Sequence, residues 1–168
     1  MTYFITENYL KLNTTITANV DVTDLVPFVK TASDMSVQPI LGSYFYADLL
    51  TKYNNQTLDA KETILVDYIK PCVAWQVCSD AVIGLSRQLK NKGLQSQNGD
   101  FSNSADFREI TFYCDHYAQK KDFYINRLVN HLHRFGKDFE AFISELNKDS
   151  NMYPTNPTPT SNGSFFTV

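Results

Sequence analysis

The sequence lacks the short motifs that mark many enzyme sites. It has no P-loop, no G-x-G-x-x-G, no H-E-x-x-H and no G-x-S-x-G. It also lacks a strong net charge. Fifteen Lys and Arg against 18 Asp and Glu leave the chain at −3, so bulk electrostatics favour neither nucleic acid nor an anionic membrane surface. No apolar run is long enough to span a bilayer, because Asp67, Lys70 and Asp80 interrupt the richest one. Residues 1–12 are polar and carry Glu7, so no secretory signal is expected. Without such a signal the three sequons at Asn13, Asn55 and Asn162 read as chance matches. Cysteine is scarce, with three residues, an odd count. Cys72, Cys78 and Cys114 all fall on apolar patterns, the pattern of core thiols in a reducing compartment.

Aromatic residues are plentiful: 12 Phe and 10 Tyr, enough to serve an interface as well as a core. Length fits one domain with a single core. Its centre is residues 58–89, expected to be one helix spanning about 50 Å. Apolar residues there point nearly all round the axis, from Ile64, Leu65 and Val66 through Trp75 to Ile83 and Leu85. Such a helix is buried at the middle of a bundle. Pro71 removes a donor to Asp67 and predicts a kink or local break. Thr57 is the expected cap of this helix and Trp75 should be largely buried.

Shorter elements precede it. Thr6 caps a first helix, and residues 13–20 form a loop. Thr23 or Asp24 caps a second helix with Pro27 in its first turn, and Leu25, Phe28, Val29, Ala32, Met35 and Ser36 face inward. Pro39 ends it. Gly42 and Ser43 open a third helix, with Phe45, Leu49 and Leu50 inward and Tyr44 and Tyr46 at the core edge or a subunit contact. After residue 89, Gly93 and Asn98-Gly99 signal turns, and a small two-stranded excursion is expected around residues 94–101. A last long helix runs from 105 to about 134, with a stripe through Phe107, Ile110, Thr111, Cys114, Tyr117, Ala118, Lys121, Ile125, Leu128, Val129 and Leu132. Gly136 breaks it, and a short helix follows with Phe139, Phe142 and Ile143 inward.

Residues 147–168 differ from the rest. They hold three prolines and many Ser, Thr and Asn without periodicity, so they cannot build a core. The fold class is therefore all-α: a helical domain over 1–146 and an extended docking tail over 147–168, with Tyr153, Pro154, Phe165 and Phe166 as candidate partner anchors. The loop residues Lys92, Gly93, Leu94, Asn98, Gly99 and Phe101 are candidates for a ring or neighbour contact.

The best candidate for chemistry is the group Glu109, Asp115, His116, His131 and His133. No histidine pair among them has the three- or four-residue spacing of a helical metal site. They read as a solvated cluster, and no cofactor, metal site or catalytic residue is expected. Cys114 and His116 point apart on a helix, and a thiol on an apolar stripe is not activated.

Several stretches together carry a family resemblance: Ile5-Thr-Glu-Asn-Tyr-Leu, Ile16-Thr-Ala-Asn-Val-Asp, Val37-Gln-Pro-Ile-Leu-Gly followed by residues 44–50, Asn91-Lys-Gly-Leu, and Tyr117 with Tyr124-Ile-Asn-Arg-Leu-Val-Asn-His-Leu. Over roughly residues 3–146 the chain resembles the head–tail connector (adaptor, or neck ring) proteins of tailed phages, most closely those of Bacteroidetes and crAss-like phages. The resemblance implies a non-enzymatic virion protein at the head–tail junction, assembled in the host bacterial cytoplasm. It implies a homo-oligomeric ring of about twelve subunits under the portal protein, contacts with other neck or tail proteins, DNA only as cargo in the channel, and no membrane. The rival expectations are a cytosolic helical adaptor that binds one partner through its tail and, from another class, a small metal-dependent hydrolase using the histidines.

Overall fold

In a computed structural model, residues 3–90, 93–96 and 107–145 are described. The fold is an all-α bundle, with helices α1 (Glu7–Asn13), α2 (Val22–Ser36), α3 (Gln38–Leu41), α4 (Ser43–Asn55), α5 (Ala60–Ser86), α6 (Phe107–Phe135) and α7 (Glu140–Glu145). A 3-10 turn, Gly136–Asp138, joins α6 to α7. The strands β1 (Arg87–Lys90) and β2 (Gly93–Ser96) pair antiparallel.

α5 is the axis. α6 packs along it and α2 lies against another part of its surface. Leu65, Val66, Ile69, Cys72, Val73, Ala74, Val77, Cys78 and Ala81 are buried. Their positions circle the helix, as the sequence predicts for a central rod. The burial has limits: Ile64 and Ile83 are 50% and 54% exposed, and Trp75 is half-buried at the α5–α6 seam rather than largely buried. The helix runs through Pro71 without a break, because packing on several sides holds the turn that proline deprives of one hydrogen bond.

Its ends fall inside the expected 58–89. Thr57 is not the cap. The Glu62 N–H donates to Asp59 Oδ1 at 2.7 Å, and the Asp59 N–H donates to Glu62 Oε2 at 3.0 Å. This reciprocal box satisfies two donors that a helix start otherwise leaves open. Thr57 instead closes α4, its N–H reaching the Lys52 carbonyl while Gln56 takes the left-handed conformation. At the other end residues 87–90 leave the helix to pair with 93–96, Lys90 opposite Gly93. The hairpin thus starts earlier than the expected 94–101. Asn98-Gly99 lies outside the described residues.

Other boundaries shift in the same local way. Thr6 caps α1, accepting from the Tyr9 N–H. The cap of α2 is Asp21, which accepts from the Thr23 N–H at 2.9 Å, not Thr23 or Asp24. Pro27 consequently sits in the second turn. Met35 is 68% exposed rather than inward. Pro39 does not merely end α2; it sits in the first turn of α3, where its missing N–H costs nothing. Gly42 then turns the chain into α4 at φ 81°, a conformation that only glycine adopts without strain. Phe45 and Leu49 are buried, Leu50 partly, Tyr46 is buried, and Tyr44 stays 49% exposed.

An aromatic knot closes the far end. Phe45 lies 5.6 Å from Phe139 and 5.8 Å from Phe142 between ring centres, tying α7 to α4. Ile143, expected inward, is on the rim at 36% exposure. No helix among the described residues is long and apolar enough to cross a membrane.

Candidate interaction surface

α6 has two faces with different chemistry. Ile110, Tyr117, Leu128, Val129 and Leu132 are buried; each large aliphatic side chain so covered contributes about 1.5–3 kcal/mol. On the opposite side Phe112, His116, Gln119 and Phe123 recur at helical spacing. Phe112 is 66% and Phe123 59% exposed. The Phe112 and His116 rings are parallel, with centres 6.3 Å apart. The Phe123 ring meets Tyr124 edge to face at 5.2 Å.

A shallow groove of about 320 Å³ runs along this face, lined by Trp75, His116, Gln119, Lys120, Phe123 and Tyr124. Lys120 Nζ stands 4.2 Å above the Trp75 ring. Two turns further on, the Arg127 guanidinium lies 5.4 Å from the Tyr68 ring and 5.9 Å from the Phe123 ring. Cations over rings in this way keep their charge in water while shielding apolar area. A second groove, about 380 Å³ and mainly apolar, is lined by Ile64, Tyr68, His131, Phe135 and Phe139, with the Lys61–Asp138 ion pair at its edge.

The histidines do not converge. His131 stacks on Tyr68 at 4.4 Å and His116 on Phe112, and burial holds the His131 and His133 imidazoles below their ordinary value. Among the described residues no three His, Cys, Asp or Glu gather where a metal ion could be held. Burial pushes the Cys72 thiol up to about 12 and raises Cys78 as well. Cys114 is raised by burial and by the nearby Asp115 charge. All three therefore stay protonated and unreactive near neutral pH.

Of the sequence candidates, Gly93 and Leu94 fall in β2. Lys92, Asn98, Gly99, Phe101, Tyr153, Pro154, Phe165 and Phe166 lie outside the described residues. Phe112 and Phe123 are not among the residues that the apolar stripe singles out. Their signal was present: they are the large apolar residues that fall off the buried stripe of α6.

The fold and this face define a helical bundle whose conspicuous feature is an exposed aromatic and cationic surface. The chain belongs to a family of unknown function, DUF6712, whose profile matches residues 37–152. That span takes in α3 to α7 and so includes both faces of α6. No curated protein and no solved structure matches the chain.

Proposed function

We propose that the protein is a structural subunit of a head–tail connector ring in a tailed phage, joining the portal to the tail around the DNA channel, and that it is not an enzyme. The resemblance of its sequence stretches to connector proteins supplies the class. The observation that carries the reading is the outer face of α6. A bundle that already closes its own core leaves two phenylalanines more than half exposed on one helix side. Exposed large rings gathered on one face mark a surface that another protein covers. Net charge of −3 suits a channel through which DNA must slide, because a strongly cationic wall would bind phosphates and hold it.

The test is assembly. The full chain is co-expressed with a tailed-phage portal protein, and masses are read by mass photometry. Expected is a ring of about twelve subunits, each of 19.2 kDa, bound to the portal. A chain that stays single and binds one other protein would instead be the helical adaptor.

A further inference from the structure

Two sets stand out among the cations of the described residues; Lys121 of α6, which meets Asp122, belongs to neither. Lys11, Lys30, Lys52, Lys61 and Lys70, the lysines of α1 to α5, each meet a carboxylate within 3.1 Å. On α6, Lys120, Arg127 and Arg134 meet none among the described residues. Their seven-residue spacing drifts by only about 20° per step, so they form one seam beside Phe123. The seam has charge to spare and a phenyl ring at its edge.

A second patch has the complementary character. Between α1 and α2 lies an apolar groove of about 190 Å³, lined by Tyr3, Ile5, Val22, Leu25, Val26 and Val29 among others. Val26 is 48% exposed. The start of α2 beside it carries Asp21 and Asp24, and Asp24 has no cation partner among the described residues. A cavity of about 150 Å³ accepts a benzene ring, so this groove has room for one phenyl side chain.

We infer that the α1–α2 groove of one copy receives Phe123 of a second copy, with Arg127 set against Asp24. Charge and volume both favour this occupant. The α6 seam cannot pair with itself across a two-fold axis without facing Arg127 and Arg134 with like charges, which opposes association. The two patches differ, so copies add head to tail, the arrangement that closes into a ring when the rotation permits. This assignment rests on the ring reading above and names the surfaces that build it.

The test uses the full chain. Native mass spectrometry and mass photometry follow assembly of wild type, Phe123→Ala, Arg127→Glu, Asp24→Arg and the double variant Arg127→Glu/Asp24→Arg. Each single change is expected to weaken assembly by about tenfold or more while leaving the monomer's melting curve in place. The double variant, with its charges exchanged, should recover assembly. In mixtures of ¹⁴N- and ¹⁵N-labelled chains, carbodiimide should join Lys120 to Asp21 or Asp24 across the two labels. If wild type forms rings and the variants assemble equally well, the interface is wrong and the ring reading stands. A double variant no better than the singles, or cross-links that place residues 147–168 in the groove, likewise overturns the interface. If wild type stays single with and without portal protein, both readings fall.

Discussion

The ring of Phe28 occupies the space that a β-carbon on residue 84 would need. Gly84 lies in the last turns of α5 and Phe28 in the middle of α2, so the absent side chain sets how closely the two helices approach. In a free helix Gly84→Ala would gain about 1 kcal/mol. Here the ring must move, and overpacking costs about 1–3 kcal/mol. The expected net is a loss of about 1 kcal/mol. Phe28→Leu removes the obstruction, so the double variant should be more stable than the sum of the singles. A thermal-denaturation double-mutant cycle with zero coupling would show that the two residues are independent.

Glu62 joins two elements. It closes the cap of α5 with Asp59 and accepts from Lys52 Nζ at 2.7 Å. Hydrogen bonds to Asp48 and Glu62 raise the Lys52 ammonium above its ordinary value. Glu62→Ala removes half the cap and a carboxylate that is almost wholly buried, with an expected cost of about 2 kcal/mol. Thr57→Ala, the residue singled out from sequence, should cost about 0.5 kcal/mol or less. Urea midpoints that rank the two in the opposite order would contradict this capping geometry.

Asp80 is a half-buried carboxylate that accepts from Gln76 Nε2 at 2.8 Å. Burial raises its pKa above the ordinary 3.8, against the lowering effects of Gln76 and Lys121. A raised carboxylate holds its proton more tightly when folded. Its favourable contribution is complete below 3.8 and is lost as pH rises through the folded value. Asp80→Asn keeps an acceptor for Gln76 without the buried charge. The variant should therefore melt above wild type at pH 7, and the gap should close as pH falls towards 4. A gap that widens on acidification would reverse the sign and refute the assignment.

Trp75 sits half-buried between Tyr117, at 5.7 Å, and Lys120. Its truncation removes a seam contact rather than a core centre. Trp75→Ala should cost about 2 kcal/mol, below the 3–5 kcal/mol of a fully enclosed ring. It should also expose Tyr117. A loss as large as that of Leu65→Ala, which empties a site with no exposure, would mean the seam is as tightly enclosed as the core.

Residues 147–168 carry Tyr153, Phe165 and Phe166 in a proline-rich stretch. Under the proposed connector role, proline lowers the entropy lost on docking, and many copies in one ring reinforce a weak single contact. Deleting 151–168 should leave the melting curve unchanged and yield heads that package DNA without gaining tails. Infectious titre equal to wild type would remove the docking role.

Much of the architecture was written in apolar spacing. The all-round pattern of residues 64–85 predicted a central helix, and α5 is that helix. The stripe from Ile110 to Leu132 predicted a second long partner, and α6 packs along α5 as its buried face requires. Spacing reports which residues can share a face, and a helix buries whichever face is apolar. It says less about ends. Asp21, Thr23 and Asp24 are all competent caps by residue type, as are Thr57 and Asp59. The choice fell to backbone geometry and, at α5, to a Glu62 that Lys52 holds from another helix. Nor does spacing say whether an apolar residue off the main stripe has a neighbour. Ile64, Phe112 and Phe123 look like core residues by type, and only the packing of the described helices leaves them uncovered. Type and periodicity belong to the chain itself; exposure is a property of what the rest of the chain places opposite, and that was decided in three dimensions.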